Sequence, residues 1–492
     1  MADVPGITPA TATTELPDGV ARRDFLKVAG AGAGALLLGA CGPAERPVPG
    51  IQSPKRFSFL RSSPDVVIVG AGAFGGWTAY HLRRMGAKVT LVDAYGPGNA
   101  RSTSGDETRG VRSSYGDREK GGDLWMLWAR ESMQRWKQFD ADWGRELNLS
   151  LYHTTGDLIF REEWEPFTTR TRDMWVQHKI PHEVLQPDEV RKRWPVINID
   201  DITVVLHEPD AGVVRARRST QAVAAAFQHL GGTIVTARVK PPTSNGKLNE
   251  IELDNGQKLR ADTFVFACGA WLRKTFPDLL ESKMRTPLGR VCYFATPPND
   301  NRFTYPNLPS WNFPGVTGWA ALPADNRGFR VRGSIRAKPV PGAPPVANTP
   351  VQPPAPTPPA QLDPDLSERW FEEKQIEGPR RVLEKHFPLL TAAPLNQIHA
   401  CHYESSASNN WIIDRHPRMP NLWIAGAGNA EAFKSGPVIG EYVAQRVLGE
   451  GADPEVVAGF RIPDHDYKPN QGAFGPPPPD TAKKADSLVK AR

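Results

Sequence analysis

"DVVIVGAGAFGGWTAYHLRRMGAKVTLVDA", residues 65–94, decides the fold. The β-branched run Val66 to Val69 has the composition of a buried strand, Trp77 to Met85 has the spacing of an amphipathic helix, and Val89 to Val92 is a second apolar strand. Together they make a βαβ unit. Its turn, Gly70-Ala71-Gly72-Ala73-Phe74-Gly75, carries the GxGxxG spacing of a dinucleotide site, and the second strand ends in an acidic residue, Asp93. Each part has a physical task. Gly70 permits the tight turn, Gly72 lets the backbone approach a pyrophosphate, and Gly75 lets the helix close on the strand. The helix start, with Ala73 and Phe74, offers unpaired N–H groups to phosphate, and Asp93 accepts ribose hydroxyls. The alternative is a glycine-rich turn without a ligand. Strand, helix and acid in the right order favour the dinucleotide.

Working outward, "GVVRARRSTQAVAAAFQHLGGTIVTARVK" reads as a loop, a helix and a strand. "NEIELDNGQKLRADTFVFACGAW" reads as a hairpin across Asp254-Asn255-Gly256 and a buried strand ending at Gly269. "NLWIAGAGNAEAFKSGPVIGEYVAQRVLGEG" is again strand, glycine turn and helix. The expected fold is therefore α/β, with a Rossmann-like domain built from discontinuous segments, residues 64–150, 205–275 and 395–455. The alternating patterns of "GRVCYFAT" and "GFRVRGSI" suit a mixed or antiparallel sheet in a second, α+β substrate domain, residues 151–204 and 276–394. Residues 338–365 are too proline-rich for a core and read as an extended insertion, and 470–492 as a loose tail.

The chain's 492 residues exceed one simple core, and 60 basic against 54 acidic residues leave a net charge of +6 without a long basic run outside the N-terminus. Nucleic acid is not an expected partner. Cys41, Cys268, Cys292 and Cys401 lie too far apart to signal a disulfide framework or a metal site. At the N-terminus, "ARRDFLKVAGAGAGALLLGACG" joins Arg22 and Arg23 to an apolar stretch too short and glycine-rich for a membrane-spanning helix. It resembles a twin-arginine export signal, residues 1–41, followed by a Pro/Ser-rich linker, 42–63. The segment Leu38-Gly39-Ala40-Cys41 resembles a lipoprotein processing site, which would make Cys41 a lipid anchor; an ordinary cleavage region is the alternative. The expected location is the periplasm or the cell envelope.

From about Asp65 to about Gly451 the chain resembles the D-amino acid oxidase (DAO) superfamily of FAD enzymes, and within it the monomeric sarcosine oxidase group. The likeness rests on "GDETRGVRSSYG" (105–116), "ADTFVFACGAW" (261–271), "CHYESSASNNWIIDRHP" (401–417) and "AFKSGPVIGE" (432–441). It implies FAD as cofactor, with Thr108, Arg109, Gly269, Gly428 and Lys434 in the flavin-contacting motifs. By position, Arg109 is similar to the residue beside the flavin ring. Arg112 and Lys434 are similar to the pair that grips a substrate carboxylate. Spacing alone places Arg109 and Arg112 one helical turn apart, where a surface ion pair or a nucleotide phosphate would also satisfy them. Cys401 is similar to the cysteine that holds FAD through a thioether; a buried, inert thiol is the alternative.

The chain also departs from that group. Arg330 stands where the resemblance expects an oxygen-activating lysine, Ser334 or its neighbour where it expects a histidine, and Glu431 where it expects another pocket histidine; Tyr403 matches a pocket tyrosine. An arginine spreads the charge that a lysine concentrates, so electron transfer to oxygen becomes an open question. An acidic Glu431 would suit a cationic or hydroxyl-bearing amine. The resemblance implies oxidation of a C–N bond in a small amine or amino acid by hydride transfer to flavin. The rival readings are a dehydrogenase with a non-oxygen acceptor and a flavin-binding assembly factor without amine turnover.

Overall fold

Asp65–Val69 runs near the middle of a six-stranded sheet, bonded in parallel to Lys88–Asp93 on one side and to Thr263–Phe266 on the other. Val66, Val67 and Ile68 are essentially inaccessible, as expected of a parallel strand covered on both faces. Met419–Gly426 and Thr233–Thr236 extend the parallel array, and Ile412–His416 closes one edge antiparallel. The computed structural model describes residues 63–118, 121–148, 150–324, 327–335 and 363–467. The segment expected to be an export signal, Cys41, the 470–492 tail and all of the proline-rich insertion but residues 363–365 lie outside the described residues.

The helix of the βαβ unit spans Ala73–Arg84, so it starts four residues before the expected Trp77. The last three residues of the glycine motif are its first turn, with Gly72 as N-cap. It packs against Gly436–Val447, and a ring nitrogen of His81 lies 2.9 Å from the Pro437 carbonyl. A 22-residue helix, Gly122–Trp143, covers the same layer with Trp125, Trp128 and Trp136 fully buried, and Trp125 stacks on Trp411 at 4.2 Å.

Eight strands form the second sheet, in the order Leu395–His402, Leu288–Phe294, Phe329–Gly333, Val316–Trp319, Ser310–Phe313, Asp157–Arg161, Val204–Glu208 and Glu183–Leu185. It is mixed: only Ser310–Phe313 and Asp157–Arg161 pair in parallel. "GRVCYFAT" and "GFRVRGSI" are neighbours in it, with Tyr293 opposite Arg330. One face packs on an aromatic core that includes Phe160, Trp311, Phe313, Phe329 and Phe387. Strand period then sends Arg330 and Arg332 to the face opposite Phe329 and Val331. Val204–Glu208 and Leu395–His402, at the starts of two of the expected nucleotide-binding segments, belong to this sheet.

Three local expectations are corrected. Arg109 and Arg112 do not lie on a helix: Arg109–Val111 is a strand, paired antiparallel with Gly212–Val214, which is itself a strand rather than a loop. The strand Thr263–Phe266 stops before Gly269, which takes φ +53° at the start of a short 3-10 turn. The hairpin at Asp254-Asn255-Gly256 forms as read, Glu250–Glu252 pairing with Lys258–Arg260.

Candidate active site

A cleft of about 1150 Å³ opens at the C-terminal ends of the parallel strands. Gly70, Gly72, Ala73, Phe74 and Asp93 line it from the first βαβ unit, and Gly269 and Gly428 from the returning segments. Gly70 has φ +104°, and a Cβ there would sit 2.3 Å from the Ala267 carbonyl oxygen. Gly72 caps the helix without a side chain, and the Ala73 amide at the helix start donates to the Ser104 hydroxyl at 3.0 Å, Ser104 also lining the cleft. Asp93 accepts hydrogen bonds from the Ala71 and Tyr95 amides at 2.8 and 2.9 Å, and burial raises its carboxyl above the usual range. A helix start lining the cleft, a Gly70 whose Cβ would meet backbone and an acid at the second strand's end fit a dinucleotide, so these residues would hold FAD. Gly75 does not line the cleft; it sets the helix against the strand, its absent Cβ lying 1.9 Å from the Gly70 carbonyl oxygen. Thr108 lies outside the cleft too, buried with its hydroxyl 3.0 Å from the Trp319 indole nitrogen and 3.1 Å from the Tyr293 hydroxyl.

A second, smaller cavity of about 650 Å³ adjoins the first, and Thr103, Arg109, Ala430 and Glu431 line both. Arg109 is held there by Asp106 and donates to the carbonyls of Thr103 and Thr108 at 2.7 and 2.9 Å. Its Nη2 lies 3.8 Å from Cys401 Sγ. Burial alone would raise the Asp106 carboxyl, but the guanidiniums of Arg109 and Arg330 outweigh it and hold the group well below the usual carboxylate range. Arg112, Lys434, Tyr403, Cys401 and Arg330 line the same cavity, so the geometry collects the residues that four separated motifs supply. Lys434 is a buried ammonium paired with Glu431, not a solvated helix-start lysine. Against the cost of burial, Lys434 and Arg112 bring the Glu431 carboxyl down to about 2. Glu431 is therefore a charge already neutralised by its neighbours, and it offers no free acid to a cationic substrate. Arg112 also faces Asp157, whose carboxyl burial raises to about 6 despite that guanidinium and a 2.6 Å hydrogen bond from the Ser310 hydroxyl.

The family described as "DAO: FAD dependent oxidoreductase" matches residues 65–446. The chain belongs to the DAO family. It is 26% identical over 401 residues to monomeric sarcosine oxidase of Bacillus sp. (strain B-0618), covering 78% of this chain and 92% of the relative. It is 26% identical over 420 residues to a putative sarcosine oxidase of Caenorhabditis elegans, covering 80% and 95%. Among solved structures, a fructosyl peptide oxidase shares the fold with a TM-score of 0.68 at 20% identity, covering 85% of this chain and 97% of that one. This protein is an FAD-dependent oxidoreductase of a family whose members include amine and amino acid oxidases.

Within this DAO-family site Arg330 is buried, its guanidinium 4.0 Å over the Trp319 ring and 3.7 Å from Asp106 Oδ2, and its Nε and Nη1 have no hydrogen-bond partner among the described residues. Ser334 is exposed and lines neither space; Arg332, two residues earlier, does line the smaller one. Sequence reading overlooked Arg332 although "FRVRG" alternates in strand period, which puts it on the face of Arg330. It also overlooked Arg290, on the neighbouring strand, and His399, both lining the cavity. Burial lowers the His399 imidazole, with Asp106 pulling upward and Arg109 downward, and its Nε2 has no hydrogen-bond partner among the described residues. Glu404, buried in the wall of the nucleotide cleft, was missed too, and burial raises its carboxyl.

Proposed function

We propose that this chain oxidises the C–N bond of an amine or amino acid in the smaller cavity, and that it works as an exported protein. The observation that carries the reading is the shared wall: Arg109 and Glu431 face both the dinucleotide cleft and the cavity that holds Arg112 and Lys434. FAD, when bound, supplies the hydride acceptor, leaving the substrate as an imine that water hydrolyses. Arg112, with Lys434 beside it, fixes the substrate carboxylate and so orients the carbon next to nitrogen. Arg109, fastened to Asp106, supplies a fixed positive charge at the junction. Anaerobic mixing of the purified holoprotein with a panel of N-methyl amino acids and simple amines tests the assignment. Bleaching of the flavin by at least one of them is the expected result. A flavin that none reduces would favour an assembly or binding role.

Arg330 supports a second reading, a dehydrogenase. Its charge is delocalised and engaged by Trp319 and Asp106, whereas a lysine would present a compact ammonium. Reduced protein reoxidised slowly by air but rapidly by a soluble quinone is the outcome this reading expects.

Cys401 lies buried in the same cavity beside Arg109, which supports a covalent bond to the flavin. Burial raises the thiol, and Arg109 pulls in the other direction, toward the reactive thiolate. Acid precipitation should carry the yellow colour down with wild-type protein, and Cys401→Ala should release it to the supernatant. Flavin that washes out of wild type would show the site to be noncovalent. For export, the Arg22 and Arg23 pair supports a twin-arginine route. Changing both to Lys should leave folded holoprotein in the cytoplasm, and unchanged fractionation would refute that route.

A further inference from the structure

Residues 363–369 do not line the nucleotide cleft, yet they hold part of its wall in place. The segment turns over residues 364–366, where the Asp363 carboxylate accepts from the Asp365 and Leu366 amides at 2.8 and 3.3 Å. The turn aims the Asp365 carboxylate at four side chains. Its Oδ1 accepts from the Tyr95 hydroxyl at 2.7 Å, the Trp271 indole at 3.0 Å and Arg238 Nη2 at 3.2 Å, and its Oδ2 from Lys274 Nζ at 2.9 Å and Arg238 Nη1 at 3.3 Å. Arg369 anchors the other end, donating to the Ala400 carbonyl at 3.1 Å and back to the Pro364 carbonyl at 3.0 Å. Burial alone would raise the Asp365 carboxyl, but the hydrogen bonds from Trp271, Lys274, Tyr95 and Arg238 outweigh it and hold the group well below the usual carboxylate range.

Three of the four, Tyr95, Arg238 and Trp271, line the nucleotide cleft, and none of these lines the smaller cavity. They stand at the Asp93 end. The Tyr95 amide donates to Asp93, and Arg238 lies two residues beyond Thr236, the strand partner of Asp93. The Tyr95 and Trp271 rings are 5.9 Å apart, and the Arg238 guanidinium is 5.4 Å from the centre of the Tyr95 ring. Long side chains on a cleft rim lose rotamer freedom when a ligand fixes them, and fixing them beforehand removes that cost from binding. An isolated surface ion pair would contribute little, but a mostly buried carboxylate that grips both ends of one guanidinium and three further donors is a network. We propose that Asp365 is a positioning residue for FAD, fastening Tyr95, Arg238 and Trp271 into the wall around the adenosine half of the cofactor, where Asp93 would accept the ribose hydroxyls, and so slowing the cofactor's release. The inference rests on FAD occupying the large cleft and is independent of the amine-oxidation reading.

Release is measured without substrate, which keeps the outcome separate from amine turnover. The parent protein carries Cys401→Ala, so that no covalent bond masks dissociation, and is loaded with FAD and desalted. The rise of free-flavin fluorescence after dilution then gives the dissociation rate. Asp365→Ala should release FAD at least about tenfold faster than the parent, the scale of one lost hydrogen bond to a charged group. While FAD stays bound its visible spectrum should match the parent's, because the three wall residues stand apart from the cavity that holds Arg330 and Cys401. The FAD-free variant should melt within about 2 °C of the FAD-free parent, a small change in stability. Asp365→Asn keeps the shape without the charge and should release FAD at least about threefold faster; if the alanine variant does not fold, the asparagine variant alone decides. Release from Asp365→Asn at the parent's rate would overturn the inference, whether or not amines reduce the flavin. Faster release from a variant whose FAD-free form also melts many degrees lower would overturn it too, assigning Asp365 to the fold.

Discussion

Arg112→Ala should leave FAD bound with its spectrum largely intact and weaken the interaction with an amino acid substrate by about 1.5 to 3 kcal/mol, the range for a hydrogen bond to a charged group. That is a loss of roughly ten- to more than a hundredfold in affinity. Arg112 lines the smaller cavity but not the nucleotide cleft, which is why the cofactor should survive. The fold should survive as well. Asp157 keeps the 2.6 Å hydrogen bond from the Ser310 hydroxyl, and losing the Arg112 charge raises its carboxyl further, toward the neutral form. A matched amine without a carboxylate should lose little, and the difference between the two substrates isolates the contact. Arg109→Ala should behave oppositely, shifting the flavin spectrum or potential, because Arg109 faces both spaces and stands against Cys401. If Arg112→Ala weakens both substrates equally, or expels FAD, the residue serves the cofactor or the fold.

A methyl group at Gly75 should abolish the holoprotein. The Cβ of Gly75→Ala would lie 1.9 Å from the Gly70 carbonyl oxygen and 3.2 Å from Ala267 Cβ, and the nearer obstacle is backbone. The helix must then lift off the strand, at a cost on the order of 3 kcal/mol for overpacking a rigid contact, and Gly70 to Ala73 move with it. Since those residues line the cofactor cleft, FAD should be lost even from protein that still folds. The neighbouring glycine is the control. A Cβ at Gly76 finds nothing nearer than 3.7 Å, and alanine is the better helix former by about 1 kcal/mol. Gly76→Ala should therefore keep its flavin and melt at the same temperature or higher. Flavin retention by Gly75→Ala, measured by absorbance after desalting, would refute the close-contact account.

How much was legible in the sequence depended on how local the deciding interaction is. The βαβ unit, the hairpin at Asp254-Asn255-Gly256 and the neighbouring strands of the second sheet were readable because period and turn chemistry are properties of adjacent residues. The helix start was displaced from Trp77 to Ala73 for a local reason as well: after Gly72 the motif residues are already helical, although their glycines read as turn. Arg332 was within reach of the same rule, two residues from Arg330 on one strand.

By itself the sequence determined the dinucleotide turn, the order of the elements and which motifs carry Arg109, Arg112, Cys401 and Lys434, because each is written in contiguous residues. Only the tertiary structure decided what surrounds them. Lys434 meets Glu431 within one turn, but Arg112 meets Asp157, and Arg290 comes onto the strand beside that of Arg332, only when segments far apart in the chain pack together. Electrostatics follows distance in space and burial rather than separation in sequence. The cavity's charges, Arg109, Arg112, Arg330 and Lys434 beside Asp106 and Glu431, therefore came together only when the strands were paired.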